Sequence, residues 1–184
     1  MDKLNIHCGI MITASHNPKE YNGFKMSYNG IHNCFGNEVA ELYYIILNGI
    51  YSKGNGSISS ANIKEDYIKM INSHINMGNN KLKVIYDCGN GTTSIVAKDI
   101  FVSNDNIEYI PLFAESDGTF PNHHPDPAVE SNLTILKEKV KELNADCGIA
   151  FDGDGDRVGV VNEKGEFVSI DKFMVIIWRD IYNK

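Results

Sequence analysis

Three aspartates separated by single glycines form the part of the sequence best suited to chemistry. Asp152, Asp154 and Asp156 lie between the short apolar runs 147–151 and 158–161. Short apolar runs bounded by turn residues are typical of buried strands, and glycine lets the backbone between the acids bend tightly. The pattern therefore predicts a loop between two strands in which three carboxylates face one point.

The three carboxylates would repel one another at short range unless a cation lay among them. Hard oxygen ligands in that number favour Mg²⁺, with Mn²⁺ or Ca²⁺ as weaker candidates. The next residue, Arg157, adds a guanidinium whose shape suits a phosphate group. The loop thus indicates a metal site beside a phosphate site, while an acidic surface turn without a ligand is the simpler alternative.

Two other kinds of aspartate loop share part of this pattern. Acids occupy positions 1, 3, 5 and 12 of the EF-hand calcium loop, as they do here at Asp152, Asp154, Asp156 and Glu163. Arg157, however, stands where that loop needs glycine, and strands rather than helices are predicted on both sides. The pattern also resembles phosphatases of the haloacid dehalogenase type, in which Asp152 would be the nucleophile, although Asp156 is unusual at its position there.

A second group of candidate residues follows the apolar run 9–13, which predicts a strand. Ser15 and His16 lie in a polar cluster that ends at Pro18. A serine presented just past a strand beside a histidine is a candidate nucleophile, and a solvated turn accounts for the same composition. A second strand is predicted at 23–27.

The rest of the chain alternates predicted strands with predicted helices. The patterns predict strands at 82–87, 107–112 and 167–168, and helices at about 37–50, 63–75, 131–143 and 171–181. Asn37 and Ser131 are the predicted N-caps, and the apolar stripes of the first two helices are predicted to be core. This alternation predicts an α/β fold of layered mixed sheets with flanking helices, divided near 78–80.

Composition is that of an ordinary soluble globular protein, with 42% hydrophobic and 22% charged residues among 184. A net charge of −7 without a basic block argues against nucleic-acid binding. No membrane span or signal-peptide pattern is present. Widely spaced cysteines without a Cys-x-x-Cys pair predict free buried thiols and a cytoplasmic protein. They are Cys8, Cys34, Cys88 and Cys147.

Three segments together resemble the α-D-phosphohexomutase family. Thr-Ala-Ser-His-Asn-Pro at 13–18, with Asn-Gly-Phe-Lys at 22–25, resembles the family's active-site serine loop. Asp-Gly-Asp-Gly-Asp-Arg at 152–157 resembles its metal loop. Phe-Pro-Asn-His-His-Pro-Asp-Pro at 120–127 is similar to the bacterial phosphomannomutase/phosphoglucomutase branch. The motifs occur in the family's order and span most of the chain.

The resemblance implies four domains around a central cleft, of which this chain would hold parts of two. Residues 1–78 would be the C-terminal part of domain 1, with the phosphoserine loop, and residues 79–184 would be domain 2, with the metal loop. The chain is then expected to be a fragment with little or no activity alone. A second chain carrying the other domains is the partner expected of a split enzyme, and a non-catalytic remnant or interaction fragment is the alternative of another class.

The same resemblance implies an Mg²⁺-dependent isomerase, with Mn²⁺ as a substitute. It would interconvert hexose 1-phosphate and hexose 6-phosphate, of mannose or glucose, through a phosphoserine and a bound 1,6-bisphosphate. Glucose 1,6-bisphosphate or an equivalent would be the activator. The metal ligands would be Ser15, Asp152, Asp154 and Asp156. The other family positions around the phosphate are matched by His16, Lys25 and Arg157. Phosphoglucosamine mutase is the close alternative, although 22–27 looks more like phosphomannomutase.

Overall fold

The structure is a computed structural model that describes residues 2–29, 32–76 and 78–182. Contacts divide the chain into two compact units. The first contains residues up to Ala14 together with Tyr21–Asn62, and the second contains Ser15–Glu20 together with the chain from Ile63 onward. The sequence places a boundary between residues 78 and 79, whereas these units divide between residues 62 and 63.

The first unit contains a three-stranded antiparallel sheet in the order β1-β2-β3. Its strands are β1 (Cys8–Ile12), β2 (Phe24–Tyr28) and β3 (His32–Asn33), and helix α1 (Asn37–Leu47) follows. The register pairs Ile12 with Phe24. One further backbone hydrogen bond, from Thr13 N to Gly23 O at 3.0 Å, extends this pairing toward the polar turn.

Helix α1 differs from its prediction in two respects. Asn37 is not the N-cap, because Gly36 takes that position with a φ of 55° and no side chain caps the helix. The predicted core stripe is also wrong, since none of the helix's residues is buried and Tyr43 is 63% exposed. The reason is that the described part of the first unit places no apolar layer over this face.

The second unit contains a five-stranded mixed sheet in the order β5-β4-β6-β7-β8. The strands are β4 (Leu82–Asp87), β5 (Ile107–Leu112), β6 (Cys147–Phe151), β7 (Val158–Asn162) and β8 (Phe167–Val168). Strand β4 runs parallel to β5 and β6, and β7 runs antiparallel to both β6 and β8. The carboxyl ends of β4, β5 and β6 therefore share one edge, where ligands usually bind in such sheets.

Four helices accompany this sheet. They are α2 (Lys64–His74), α3 (Ala97–Val102), α4 (Thr134–Glu142) and α5 (Ile170–Tyr182). Lys64 Nζ lies 2.7 Å from Asp99 Oδ2, and Asn104 Nδ2 lies 3.2 Å from Asn72 Oδ1. Since these contacts join α2 to the region of α3, the second unit begins before α2. No helix within the described ranges is long and apolar enough to cross a membrane.

Ser131 is not an N-cap either. It lies inside a 3₁₀ turn, Glu130–Leu133, and Leu133 takes the N-cap position of α4 without a side-chain hydrogen bond. The 3₁₀ turn still buries Leu133 against the sheet, so burial rather than capping accounts for how this helix begins.

Both faces of β4 are buried, as alternating side chains show. Ile85 packs with Leu136 and Val140 of α4 on one face. Tyr86 lies on the other face and stacks on Phe101 of α3, with ring centroids 4.6 Å apart. The unit is therefore a helix–sheet–helix sandwich, and the predicted α/β class with mixed sheets and flanking helices is confirmed.

The cysteines are free thiols, as predicted, but only one of them is buried. Cys88 is fully buried beside Tyr86, whereas Cys8 is exposed and the other two are half-buried. The expectation of four buried thiols is wrong, because Cys8 lies on β1, whose residues are mostly exposed, and the packing around Cys34 and Cys147 covers them only in part.

Alkylation should separate Cys88 from Cys8. Burial raises the pKa of the Cys88 thiol to about 11, so little reactive thiolate exists at pH 8. We expect iodoacetamide to modify Cys8 in the folded chain and to leave Cys88 unmodified until urea is added, as read by peptide mass spectrometry. Equal rates for the two thiols in the folded chain would contradict this placement.

Candidate metal centre and nucleophile

The aspartate loop connects two antiparallel strands. It follows Phe151 of β6 and precedes Val158 of β7, which pair with each other. Gly155 has a φ of 76°, and a Cβ there would lie 2.6 Å from Thr93 Cγ2, so both conformation and space require glycine. Because strands rather than helices flank the loop, the EF-hand alternative is wrong.

Asp152 is the buried member of the aspartate cluster, with no exposed surface. Its Oδ1 accepts a hydrogen bond from Arg157 N at 3.0 Å, and its Oδ2 accepts one from Arg157 Nε at 3.1 Å. Burial raises the pKa of Asp152 to about 6; the backbone hydrogen bond from Arg157 opposes this shift, and the charges of Asp154 and Asp156 add to it. A bound cation would offset both burial and repulsion.

The three aspartates fit a divalent cation by geometry and by donor type. One oxygen from each of Asp152, Asp154 and Asp156 lies within 4.8 Å of the others. Octahedral Mg²⁺ at about 2.1 Å would place such oxygens about 3–4 Å apart, so small side-chain shifts suffice. Exposure increases from Asp152 through Asp154 to Asp156, which leaves the outer side open to water or a further ligand.

Ser15 lies beside this cluster. Its Oγ is 3.4 Å from Asp154 Oδ1 and 3.2 Å from His16 Nδ1. Because the hydroxyl has one proton, donation to Asp154 requires His16 Nδ1 to be the donor in the second contact. Ser15 also has a φ of 56°, a backbone strain of the kind found at functional sites. Serine, histidine and carboxylates thus meet within one unit, and their roles stay predictions.

Close backbone packing holds the serine against the loop. A Cβ on Gly153 would lie 2.5 Å from Ser15 O, and a Cβ on Gly91 would lie 2.8 Å from Gly153 O. Thr92 N donates to the same carbonyl of Gly153 at 3.0 Å. The turn that follows β4 therefore packs against the loop and supports it.

Arg157 faces the carboxylates and keeps unused donors. Its Nη1 lies 3.4 Å from Asp126 Oδ1, while its Nη2 is shielded from solvent and has no hydrogen-bond partner among the described residues. An unsatisfied donor of this kind costs about 1–3 kcal/mol, which an anion could offset. Lys25 belongs to the first unit, where it lies on β2 opposite Met11 of β1.

Sequence reasoning missed Asp87 and His123, a pair that lies in the same unit as the loop. Asp87 ends β4 and is fully buried, and its Oδ2 lies 3.0 Å from His123 Nε2. An aspartate that ends a buried strand is a signal that could have been noticed. His123 contacts Asp87 and the backbone carbonyl of His124 rather than the aspartate cluster.

Comparisons with known proteins agree on one family. The family model described as "Phosphoglucomutase/phosphomannomutase, alpha/beta/alpha domain II" matches residues 65–165. The model for "alpha/beta/alpha domain I" of the same family matches residues 1–49. The phosphomannomutase/phosphoglucomutase of Pseudomonas syringae pv. tomato is 45% identical over 177 residues, which cover 96% of this chain and 37% of that protein. A phosphoglucomutase of Neisseria meningitidis serogroup B is 39% identical over 178 residues, which cover 96% of this chain and 38% of that protein.

A solved structure gives the same result. A phosphoglucomutase/phosphomannomutase family protein from Burkholderia thailandensis superimposes with a TM-score of 0.88 at 36% identity, covering 96% of this chain and 38% of that one. The chain thus spans about 37% of the length of the curated relatives it matches. Since the domain II match alone covers more than half of the sequence, the chain belongs to the phosphoglucomutase/phosphomannomutase family.

Proposed function

We propose that this chain supplies the phosphoserine and metal loops of an α-D-phosphohexomutase that interconverts hexose 1-phosphate and hexose 6-phosphate. The observation that supports the proposal is the position of Ser15 Oγ, 3.4 Å from Asp154 Oδ1 in a cluster of three carboxylates. A nucleophile beside a divalent-cation site is an arrangement suited to phosphoryl transfer through a covalent intermediate. The names of the relatives supply the substrate class, mannose or glucose phosphates.

Each side chain then has a role in moving one phosphoryl group. Ser15 carries it, and a hydroxyl of the hexose phosphate displaces Ser15 Oγ, so that a bond from phosphorus to sugar oxygen forms as the serine bond breaks and the hydroxyl proton passes to water. His16 Nδ1, 3.2 Å from that Oγ, delivers a proton to the departing serine. The bound 1,6-bisphosphate then returns its other phosphoryl group to Ser15. The bond from phosphorus to that sugar oxygen breaks as the serine bond forms, His16 takes the serine proton back, and water protonates the sugar oxygen.

Charge on the transferred group is balanced by the surrounding residues. Asp152, Asp154 and Asp156 would hold Mg²⁺, with Mn²⁺ as a substitute. When bound, the ion would neutralise charge on the phosphoryl oxygens. Arg157 offers its remaining N–H donors to the same group, and Lys25 is proposed to add positive charge.

One relative favours a second candidate substrate. The probable phosphoglucosamine mutase of Methanosarcina barkeri is 39% identical over 175 residues, which cover 92% of this chain and 39% of that protein. An amino sugar phosphate is therefore the alternative substrate of the same reaction class. Low activity of the chain by itself, activation by glucose 1,6-bisphosphate, a complementing second chain and a cytoplasmic location stay predictions.

Calorimetric titration with Mg²⁺ tests the metal loop directly. We expect the chain to bind Mg²⁺ weakly and Asp154→Asn to bind it at least about 10-fold more weakly, since a carboxylate ligand is lost. Glu163→Gln is the matched control because Glu163 is an exposed acid near the loop and outside the cluster. Equal binding by the parent and Asp154→Asn would contradict the site.

A further inference from the structure

A buried charged pair lies behind the aspartate loop. Asp87, with no exposed surface, accepts a hydrogen bond from Gly89 N at 2.7 Å through Oδ1 and meets His123 Nε2 at 3.0 Å through Oδ2. The His123 side chain is 13% exposed. A carboxylate at this depth needs a compensating charge or hydrogen bonds, so His123 is matched to Asp87 by chemistry as well as by distance.

The contacts of His123 define its protonation state. Nε2 faces a carboxylate oxygen, and Nδ1 lies 2.9 Å from the carbonyl oxygen of His124. Both partners are acceptors, so both ring nitrogens carry protons and the ring is an imidazolium. Burial lowers the pKa of His123, but the hydrogen bonds to Asp87 and to the His124 carbonyl, with the Asp87 charge, outweigh it and raise the pKa above its ordinary value.

The segment 123–127, called the strap below, runs from this pair to the aspartate loop. Pro125 is fully buried, and a Cβ on Gly89 would lie 3.2 Å from its Cβ, while a Cβ on Gly153 would lie 3.6 Å from its Cγ. Pro125 therefore fills the space between the turn after β4 and the loop. Asp126 Oδ1 accepts a hydrogen bond from Arg157 Nη1 at 3.4 Å.

We propose that the Asp87–His123 pair positions the metal loop by holding the strap, which supports the loop at Gly153 and Arg157. Among the described residues, neither member of the pair forms a hydrogen bond or ion pair with Ser15, Asp152, Asp154 or Asp156. The inference rests on the proposed function, because it takes the three aspartates to be the metal ligands. Deprotonation or replacement of His123 would free one end of the strap. The three carboxylates would then be less well aligned to bind a cation.

The proposal predicts that the affinity for metal falls as the pH rises and His123 loses its proton. In the part of the chain that the structure describes, the charged group that faces His123 is Asp87 of β4. The other neighbours of His123 are uncharged: Gly89, the His124 carbonyl and the ring of Phe113, whose centroid is 5.3 Å away. Because the folded-state pKa of His123 is raised above 6.5, its ion pair with Asp87 is fully formed below that pH. It is lost as pH rises through the raised pKa.

The test compares Mg²⁺ affinity and thermal stability in three forms of the full chain between pH 7 and pH 9. We expect His123→Gln to bind Mg²⁺ about 10-fold more weakly than the parent at pH 7. The parent affinity should fall toward pH 9, while that of His123→Gln should stay flat. His124→Gln is the matched control, since His124 is exposed and contributes only its carbonyl to the pair, and it should follow the parent at every pH.

Pro125→Ala provides a second variant that leaves the charged pair in place. It should weaken Mg²⁺ binding as His123→Gln does, because the ring that fills the space beside Gly153 is lost. If His123→Gln fails to fold, the result with Pro125→Ala is the test of the proposal. A lower melting temperature with parent-like affinity in both variants would make the pair merely structural and overturn the positioning role. Absence of Mg²⁺ binding in the parent would overturn the proposed function and the inference together.

Discussion

Replacing Ser15 by alanine should abolish phosphoryl labelling of a complete mutase that carries this segment. The segment would replace the matching 177 residues of the Pseudomonas syringae relative, with which it is 45% identical. After incubation with glucose 1,6-bisphosphate, mass spectrometry should find the phosphate on Ser15. Turnover should fall roughly a thousandfold or more in Ser15→Ala, since loss of the nucleophile removes the covalent route.

Ser103→Ala is the control for the loss of a serine hydroxyl. Ser103 is exposed, and its Oγ bonds only the carbonyl of Asp99 in the recorded contacts, so labelling and turnover should match those of the parent graft. Phosphate on Asp152 would contradict the prediction and favour the phosphatase alternative. That outcome would be unexpected here, because both carboxylate oxygens of Asp152 already accept hydrogen bonds from Arg157.

Gly153→Ala should disturb both the aspartate loop and the serine segment by adding one methyl group. The added Cβ would lie 2.5 Å from Ser15 O, well inside contact distance, so either the loop or the serine segment has to move. Overpacking of this kind costs about 1–3 kcal/mol. We expect a lower urea midpoint for the chain, weaker Mg²⁺ binding, and loss of most Ser15 labelling in the graft.

Gly118→Ala is the control for the general effect of a glycine-to-alanine change. A Cβ on Gly118 meets no atom within 4 Å, so stability, Mg²⁺ affinity and labelling should stay at parent levels. If Gly153→Ala retained parent-like Mg²⁺ affinity and labelling, the close approach between the loop and the serine backbone would be irrelevant to the site.

Sequence patterns predicted the second unit's strands well because each is a short, largely apolar run bounded by turn residues. Strands β4 and β5 have the predicted bounds, 82–87 and 107–112. Such runs are apolar because β4 is covered on both faces, and buried parallel strands favour this composition. The aspartate loop was equally readable, since its three aspartates and its turn glycines are all local in sequence.

Long-range pairing and helix starts were not readable in the same way. Asp87 and His123 are 36 positions apart, and no local pattern indicates that a strand's last residue meets a proline-rich loop. Asn37 and Ser131 have the composition of N-caps, but Gly36 and Leu133 take those positions. Tertiary packing selects among nearby starting points that side-chain preference leaves nearly equal. The apolar stripe of α1 shows amphipathicity without naming what would cover it.

The three aspartates are close together in the sequence, whereas Ser15 is far from them. Three carboxylates arise from one turn between β6 and β7, so bringing them together needs little loop closure. Ser15 meets Asp154 across a separation of 139 residues, and that contact requires most of the unit to be folded first. Metal affinity would therefore depend on this turn and on the strap that supports it, whereas phosphorylation of Ser15 would depend in addition on the contact between the serine segment and the loop. A chain that lost this contact would lose the second property while it still kept much of the first.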